Sequence, residues 1–126
     1  MAPPTTFKTI LLDVDADDHI ATITLNRPER LNSFDRTMCN EMRDAWHIVK
    51  YDERVHAVVL RAAGDRAFSA GLDIKSAYGQ PDNVWNHEDP GELLSPKWQK
   101  MWKPWCARSK ECARRAHCIS STNPMW

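Results

Sequence analysis

Arg66-Ala67-Phe68-Ser69-Ala70-Gly71-Leu72-Asp73-Ile74-Lys75 is the stretch in which small residues, a glycine and an acid converge. The continuous apolar run Ala57-Val58-Val59-Leu60 lies just before it. The stretch is therefore predicted at the carboxyl end of a buried strand, where α/β proteins gather their ligand-binding loops. A glycine in such a loop lets the backbone approach a ligand closely, because no Cβ stands in the way.

Reading back toward the start, Val55 to Ala62 is predicted as a strand, and its unbroken apolar centre argues that both faces are covered. Before it, Asp35 is a suitable N-cap for a helix running through Lys50. Met38, Met42, Ala45, Trp46 and Val49 make one apolar stripe at helical spacing, with Arg36, Glu41, Arg43 and Asp44 off it. That pattern reads as a helix packed on a sheet; His47 and His56 read as surface or edge residues. Asn26-Arg27-Pro28-Glu29-Arg30 must break the chain, since proline lacks an N–H and disfavours helix in the residue before it. Phe7 to Val14 and His19 to Leu25 read as two strands of a hairpin, joined by the acidic turn Asp15-Ala16-Asp17-Asp18. Asp13, Asp15 and Asp17 imitate the opening of a calcium loop. Asp18 stands where that loop needs glycine and Thr24 where it needs a bidentate glutamate, so the turn reads as solvated. Strand, strand, helix, strand is a ββα-type unit of the α/β class.

Reading forward, Ser76 to Glu92 is irregular, with Gly79, Pro81, Pro90 and Gly91, and is long enough to be a lid or disordered. Ser95-Pro96 is a good helix start, and Trp98, Met101 and Trp102 give the following turn an apolar face until Pro104 ends it.

Ala67-Phe68-Ser69-Ala70-Gly71-Leu72-Asp73-Ile74 resembles the first oxyanion-hole loop of the enoyl-CoA hydratase/isomerase (crotonase) family. Ile23-Thr24-Leu25-Asn26-Arg27-Pro28-Glu29-Arg30-Leu31-Asn32-Ser33-Phe34-Asp35 resembles that family's strand, turn and helix start at the expected distance upstream. The resemblance covers about Phe7 to Pro104 and implies a crotonase-like ββα spiral, here cut to its N-terminal half. It divides the chain into a disordered 1–6, a crotonase-like 7–104 and a divergent basic tail, 105–126.

Crotonase-type chemistry passes through a thioester enolate whose oxygen needs two preorganised N–H donors in a dry pocket. The resemblance implies that the backbone N–H of Leu72 is the first donor, with Gly71 beside it. It implies that the backbone of Ala70 contacts the coenzyme A arm, that Arg30 and Leu31 border the nucleotide portion, and that Asp73 and Ile74 complete the loop, Asp73 as a hydrogen-bonded anchor. The resemblance implies that Tyr78 and Trp85 lie in a variable region bordering the acyl-chain pocket, where they read either as substrate contacts or as cover for the core edge. Coenzyme A arrives as part of the substrate, so no separate cofactor and no metal is implied; the partner is an acyl-CoA thioester. Intact relatives form trimers, which sets the expectation for assembly.

The family's second donor sits in a glycine-bearing turn after the next strand, with catalytic glutamates beyond it. After Pro104 this chain has no glycine, and its one acid is Glu111. The expected function is therefore that of an enoyl-CoA hydratase/isomerase family protein without turnover. The alternatives are a non-catalytic acyl-CoA-binding or interaction fragment, and a non-functional product of a disrupted gene.

Charge adds a boundary. Lys plus Arg equals Asp plus Glu at 17 each. Residues 1–102 hold 12 basic and 16 acidic groups (12 − 16 = −4), and 103–126 hold 5 and 1 (5 − 1 = +4). The neutral whole gives no argument for nucleic acid or a membrane surface. No apolar run approaches the about 18 residues that span a bilayer, and the start lacks a signal peptide's basic and apolar segments, so a cytoplasmic chain is expected. Cys39 is the one cysteine of the body, while Cys106, Cys112 and Cys118 lie in the tail, so no disulfide framework is indicated. With His117 they fit no usual zinc spacing. Arg108, Lys110, Arg114 and Arg115 read as a charged, solvated end.

Permissible codons for Pro104 to Trp126, read one base out of phase, can encode a valine-bearing strand and a glycine-bearing turn like those the family has next. The tail is accordingly expected to be a frameshifted remnant. Sequencing the gene tests this: a shifted frame that encodes no such segment removes the idea.

Overall fold

The computed structural model describes residues 6–75, 85 and 89–108. Its core is a four-stranded sheet in the order β1 (Ile10–Asp15), β2 (Ile20–Leu25), β3 (Ala57–Ala62), β4 (Trp105–Ala107). β1 and β2 form an antiparallel hairpin with Ile10 opposite Leu25 and Asp15 opposite Ile20. β3 runs parallel to β2, and β4 parallel to β3. The helix α1 (Arg36–Tyr51) makes the crossover between β2 and β3.

Strand alternation places Ile10, Leu12 and Val14 on one face with Ala21, Ile23 and Leu25, Val58, Leu60 and Ala62, and Trp105. The stripe Met38, Met42, Ala45, Trp46 and Val49 of α1 is buried and joins these residues in a single core, as the spacing predicts. Trp46 is fully buried, its indole edge-on to Trp105 with ring centres 6.3 Å apart. Its Nε1–H donates to the Leu94 carbonyl at 2.9 Å, so the polar atom of this large side chain is satisfied inside the core. Asp35 caps α1, accepting from the Met38 N–H at 2.8 Å.

Several boundaries differ from the sequence reading, each for a local reason. β1 begins at Ile10 rather than Phe7 because the amides of Lys8 and Thr9 donate to the Glu41 carboxylate on α1. β2 begins at Ile20 because His19 is left-handed, at φ 58°. β3 begins at Ala57, the N–H groups of His56 and Ala57 both being taken by the His19 carbonyl. The expectation that both faces of β3 are covered holds only in part. Val58 is buried, but Val59 and Leu60 are half-buried and Arg61 is exposed. The face shared by Leu11, Thr22, Thr24, Val59 and Arg61 carries no helix among the described residues, and Leu11 is 53% exposed.

The predicted helix after Ser95 is not formed. The helix lies earlier, as α2 (Pro90–Leu94), with Asp89 capping the Gly91 N–H at 2.8 Å, and Ser95 is its C-terminal cap. Asp89-Pro90 and Ser95-Pro96 offer the same start chemistry, an acceptor followed by proline. Residues 96–100 stay a turn, closed by Met101 N–H on the Pro96 carbonyl at 2.9 Å, with Lys100 left-handed at φ 53°. Met101 packs on the core, but Trp98 and Trp102 are 61% and 59% exposed, so no apolar face forms there. The first three residues assigned to the tail form β4. Tyr78, and Cys112, Glu111, His117 and Cys118 of the tail, lie outside the described residues. Among the described residues no helix is long and apolar enough to cross a membrane.

Lys103 ties the second half of the unit to the first. Its Nζ donates to the Val49 carbonyl at 2.7 Å and the Asp52 carbonyl at 2.6 Å, at the C-terminal end of α1 where carbonyls lack helical partners. Burial pushes its ammonium pKa down, partly offset by Asp52. Lys103→Met keeps the stem and removes both hydrogen bonds. It is expected to destabilise the chain by about 1–2 kcal/mol, read as a lower urea midpoint at unchanged slope.

Candidate active-site loop

The site is built where β2 and β3 end side by side. After Leu25 the chain enters a single 3-10 turn, Pro28–Arg30, with proline at its first position. Leu31 and Asn32 follow, both left-handed at φ 53°. Asparagine tolerates that conformation; a leucine there costs about 1–2 kcal/mol. The turn is held by Leu31 N–H on the Pro28 carbonyl at 3.1 Å and Asn32 N–H on the Arg27 carbonyl at 2.8 Å.

Asn32 is 1% exposed, and its amide is spent on three segments. Its Oδ1 accepts from the Arg27 N–H at 2.9 Å, and its Nδ2 donates to the Ala63 carbonyl at 2.7 Å and the Ala67 carbonyl at 3.3 Å. Its carbonyl accepts from the Ser69 hydroxyl at 2.8 Å, and that hydroxyl in turn accepts from the Gly71 N–H at 3.1 Å. The loop is thus laid onto the turn by one buried residue.

The loop then follows a fixed path. Ala70 N–H donates to the Leu31 carbonyl at 2.9 Å. Gly71 sits at φ +92°, and a Cβ added there would meet no protein atom within 4 Å, so conformation rather than packing requires the glycine. Phe34 and Leu72 form an isolated parallel bridge: Phe34 N–H donates to the Gly71 carbonyl at 2.9 Å, and Asp73 N–H to the Phe34 carbonyl at 3.0 Å. Alternation along an extended segment turns the N–H of Leu72 away from Phe34, and among the described residues it makes no hydrogen bond. The side chain of Leu72 is 42% exposed.

Asp73 is buried; its Oδ1 accepts from the Lys75 N–H at 3.1 Å and its Oδ2 from Arg27 Nη2 at 3.2 Å. Of the predicted residues, Leu31 and Ala70 are joined by a direct hydrogen bond, and Gly71 and Asp73 each bond to Phe34, which fixes Leu72 between them. Arg30 lies exposed on the adjoining turn, and Ile74 is 92% exposed at the end of the loop. Trp85 is exposed. The sequence reading passed over Asn32 and Arg27 as site residues. The available signal was a short polar amide just after a proline turn, a position that favours left-handed backbone. Among the described residues no three His, Cys, Asp or Glu side chains are grouped as a metal would require.

An N–H group with fixed neighbours and no partner of its own is what a developing oxyanion needs. The family model described as enoyl-CoA hydratase/isomerase matches residues 20–99. The chain is 32% identical over 92 residues to the (E)-benzylidenesuccinyl-CoA hydratase of Thauera aromatica, covering 72% of this chain and 36% of that protein. It is 43% identical over 68 residues to the trans-2-decenoyl-[acyl-carrier-protein] isomerase of Streptococcus mutans, covering 54% and 25%. The crystal structure of an enoyl-CoA hydratase/isomerase from Mycobacterium paratuberculosis superposes with a TM-score of 0.63 at 36% identity, covering 81% of this chain and 37% of that one. The chain thus spans little more than a third of the length of these relatives, or less.

Two substitutions separate the supports of the loop. Asn32→Ala strands buried partners and should cost roughly 2–3 kcal/mol. Gly71→Ala should cost about 1–2 kcal/mol through backbone conformation alone. Denaturant unfolding checks both, and a Gly71→Ala chain as stable as the parent contradicts the conformational argument.

Proposed function

The chain belongs to the enoyl-CoA hydratase/isomerase family, and from that premise we propose that its 63–75 loop binds the carbonyl of an acyl-CoA thioester. The observation that carries the reading is the N–H of Leu72, which has no hydrogen-bond partner among the described residues and is flanked on both sides by backbone groups locked onto Phe34. That N–H is the first oxyanion donor. It polarises the thioester carbonyl and stabilises the enolate oxygen formed when a proton leaves, or a nucleophile adds to, the acyl chain. The Leu72 side chain takes no part. The backbone of Ala70 lies along the coenzyme A arm, Arg30 and Leu31 border its nucleotide end with Arg30 free to pair with phosphate, and Asp73 and Ile74 close the loop. Coenzyme A comes and goes with the substrate, so no further cofactor is called for.

Turnover needs more than this loop. A second oxyanion donor is worth roughly 3–4 kcal/mol of transition-state stabilisation, and acid–base groups add to it. The role proposed for the loop is therefore to bind and polarise acyl-CoA, hydration or isomerisation requiring those further groups. A hydratase and an isomerase both stand among the relatives by name, which fits a shared step, carbonyl polarisation, carried by the shared loop. The same reading assigns the chain to the cytoplasm and expects it to form homo-oligomers.

Thermal unfolding with and without a short enoyl-CoA tests the reading. Ligand at about 100 times its dissociation constant adds about 2.7 kcal/mol and raises the midpoint by several degrees. Leu72→Ala, which keeps the N–H, should retain that shift, and Leu72→Pro, which removes it, should lose it. A cooperative transition that ligand leaves unmoved refutes the proposal.

A further inference from the structure

The bridge that aims the Leu72 N–H consists of two backbone hydrogen bonds with no further ladder on either side. So short a pairing is weak alone, since strand pairs gain stability from neighbouring rungs and packed faces. What flanks it is the guanidinium of Arg27. Its Nη1 donates to the Ser33 carbonyl at 2.8 Å and lies 3.5 Å from Asp35 Oδ2, and its Nη2 reaches Asp73 Oδ2 at 3.2 Å. Ser33 and Asp35 stand on either side of Phe34, and Asp73 follows Leu72. One planar fork therefore spans both strands of the bridge. The three side chains are largely buried, at 14% exposure for Arg27, 19% for Asp35 and 9% for Asp73.

We infer that Arg27 is the positioning residue of the Leu72 donor: it clips the loop to the start of α1 so that the N–H keeps a fixed direction. The inference rests on the reading of Leu72 as an oxyanion donor. Charge argues for position rather than electrostatic stabilisation. One guanidinium faces two carboxylates, which leaves the trio with a net negative charge that would oppose a nearby oxyanion. The geometry also demands arginine. Lysine offers a compact ammonium, which cannot hold a carbonyl on one edge and a carboxylate on the other with fixed geometry.

The test compares the parent chain with Arg27→Lys by amide hydrogen exchange. It also follows the carbonyl ¹³C signal of butyryl-CoA labelled at the thioester carbon, an unreactive saturated probe. Arg27→Lys should speed exchange of the Phe34 and Asp73 amides by about tenfold while the core amides of Ile23 and Val58 stay within about twofold. It should bind the probe within about threefold of the parent, because most of the contact is with coenzyme A. The downfield carbonyl shift on binding should fall by about half. Asp73→Asn, which keeps a side-chain acceptor for the Lys75 N–H but removes the charge that Arg27 meets, should change exchange in the same direction; this arm decides the matter if Arg27→Lys fails to fold. Unchanged exchange at Phe34 and Asp73 overturns the inference, with or without bound probe. A parent chain that binds the probe with no carbonyl shift counts against the oxyanion reading itself, and the exchange comparison then still decides what Arg27 holds.

Discussion

A primary amide buried where water cannot reach it has to find its hydrogen bonds inside the protein, and Asn32 finds them on three separate stretches of chain. Its side chain joins the turn after β2 to the end of β3 and to the start of the candidate loop. Each of those partners would be left unsatisfied if either neighbour moved away, at a cost of about 1–3 kcal/mol for each buried group. The turn and the loop are therefore fixed relative to each other by a polar constraint. The left-handed backbone at Leu31 and Asn32 is tolerated because this network over-determines it.

Beneath the loop the scaffold is conventional in its physics. One amphipathic helix lies on one face of a twisted sheet, with Trp46 filling the centre and Lys103 holding the helix end to the segment before β4. Because the apolar contacts concentrate on the α1 side, the ends of β2 and β3 are free to carry polar work. The division is spatial: Met38, Met42, Trp46 and Val49 supply burial, and residues 27–34 and 63–75 supply geometry.

Much of this was legible in the sequence because the relevant signals are local. The 3.6-residue period of the α1 stripe, the capping carboxylate of Asp35 and the apolar run of β3 each declare an element without reference to the rest of the chain. The loop was legible from its small residues and glycine, and from its match with a family motif. What escaped was decided at a distance. Glu41 draws the amides of Lys8 and Thr9 out of the first strand from more than thirty residues away. The choice between two equivalent helix starts, at Asp89-Pro90 and Ser95-Pro96, is not encoded in their capping chemistry, which is the same. The half-open face of β3 reflects what packs against it, which an apolar run cannot specify. Arg27 and Asn32 looked like punctuation because the Asp73 carboxylate and the Ala63 and Ala67 carbonyls that they bind are brought near only by folding.

The parallel pairing of β2 with β3 sets the order in which these parts can come into being. The β1–β2 hairpin closes over a few residues, and α1 is local to itself, but β3 meets β2 only after the whole crossover has been ordered. Such non-local closures come late, since chain entropy is lost before contacts repay it. The anchors of the candidate loop at Leu25, Arg27, Leu31, Asn32 and Phe34 lie on the near side of that crossover, and the loop itself lies on the far side. The Leu72 N–H therefore has a defined direction only in chains that have completed the parallel pairing, so on the proposed reading thioester affinity is a late step on the folding path and reports the finished sheet.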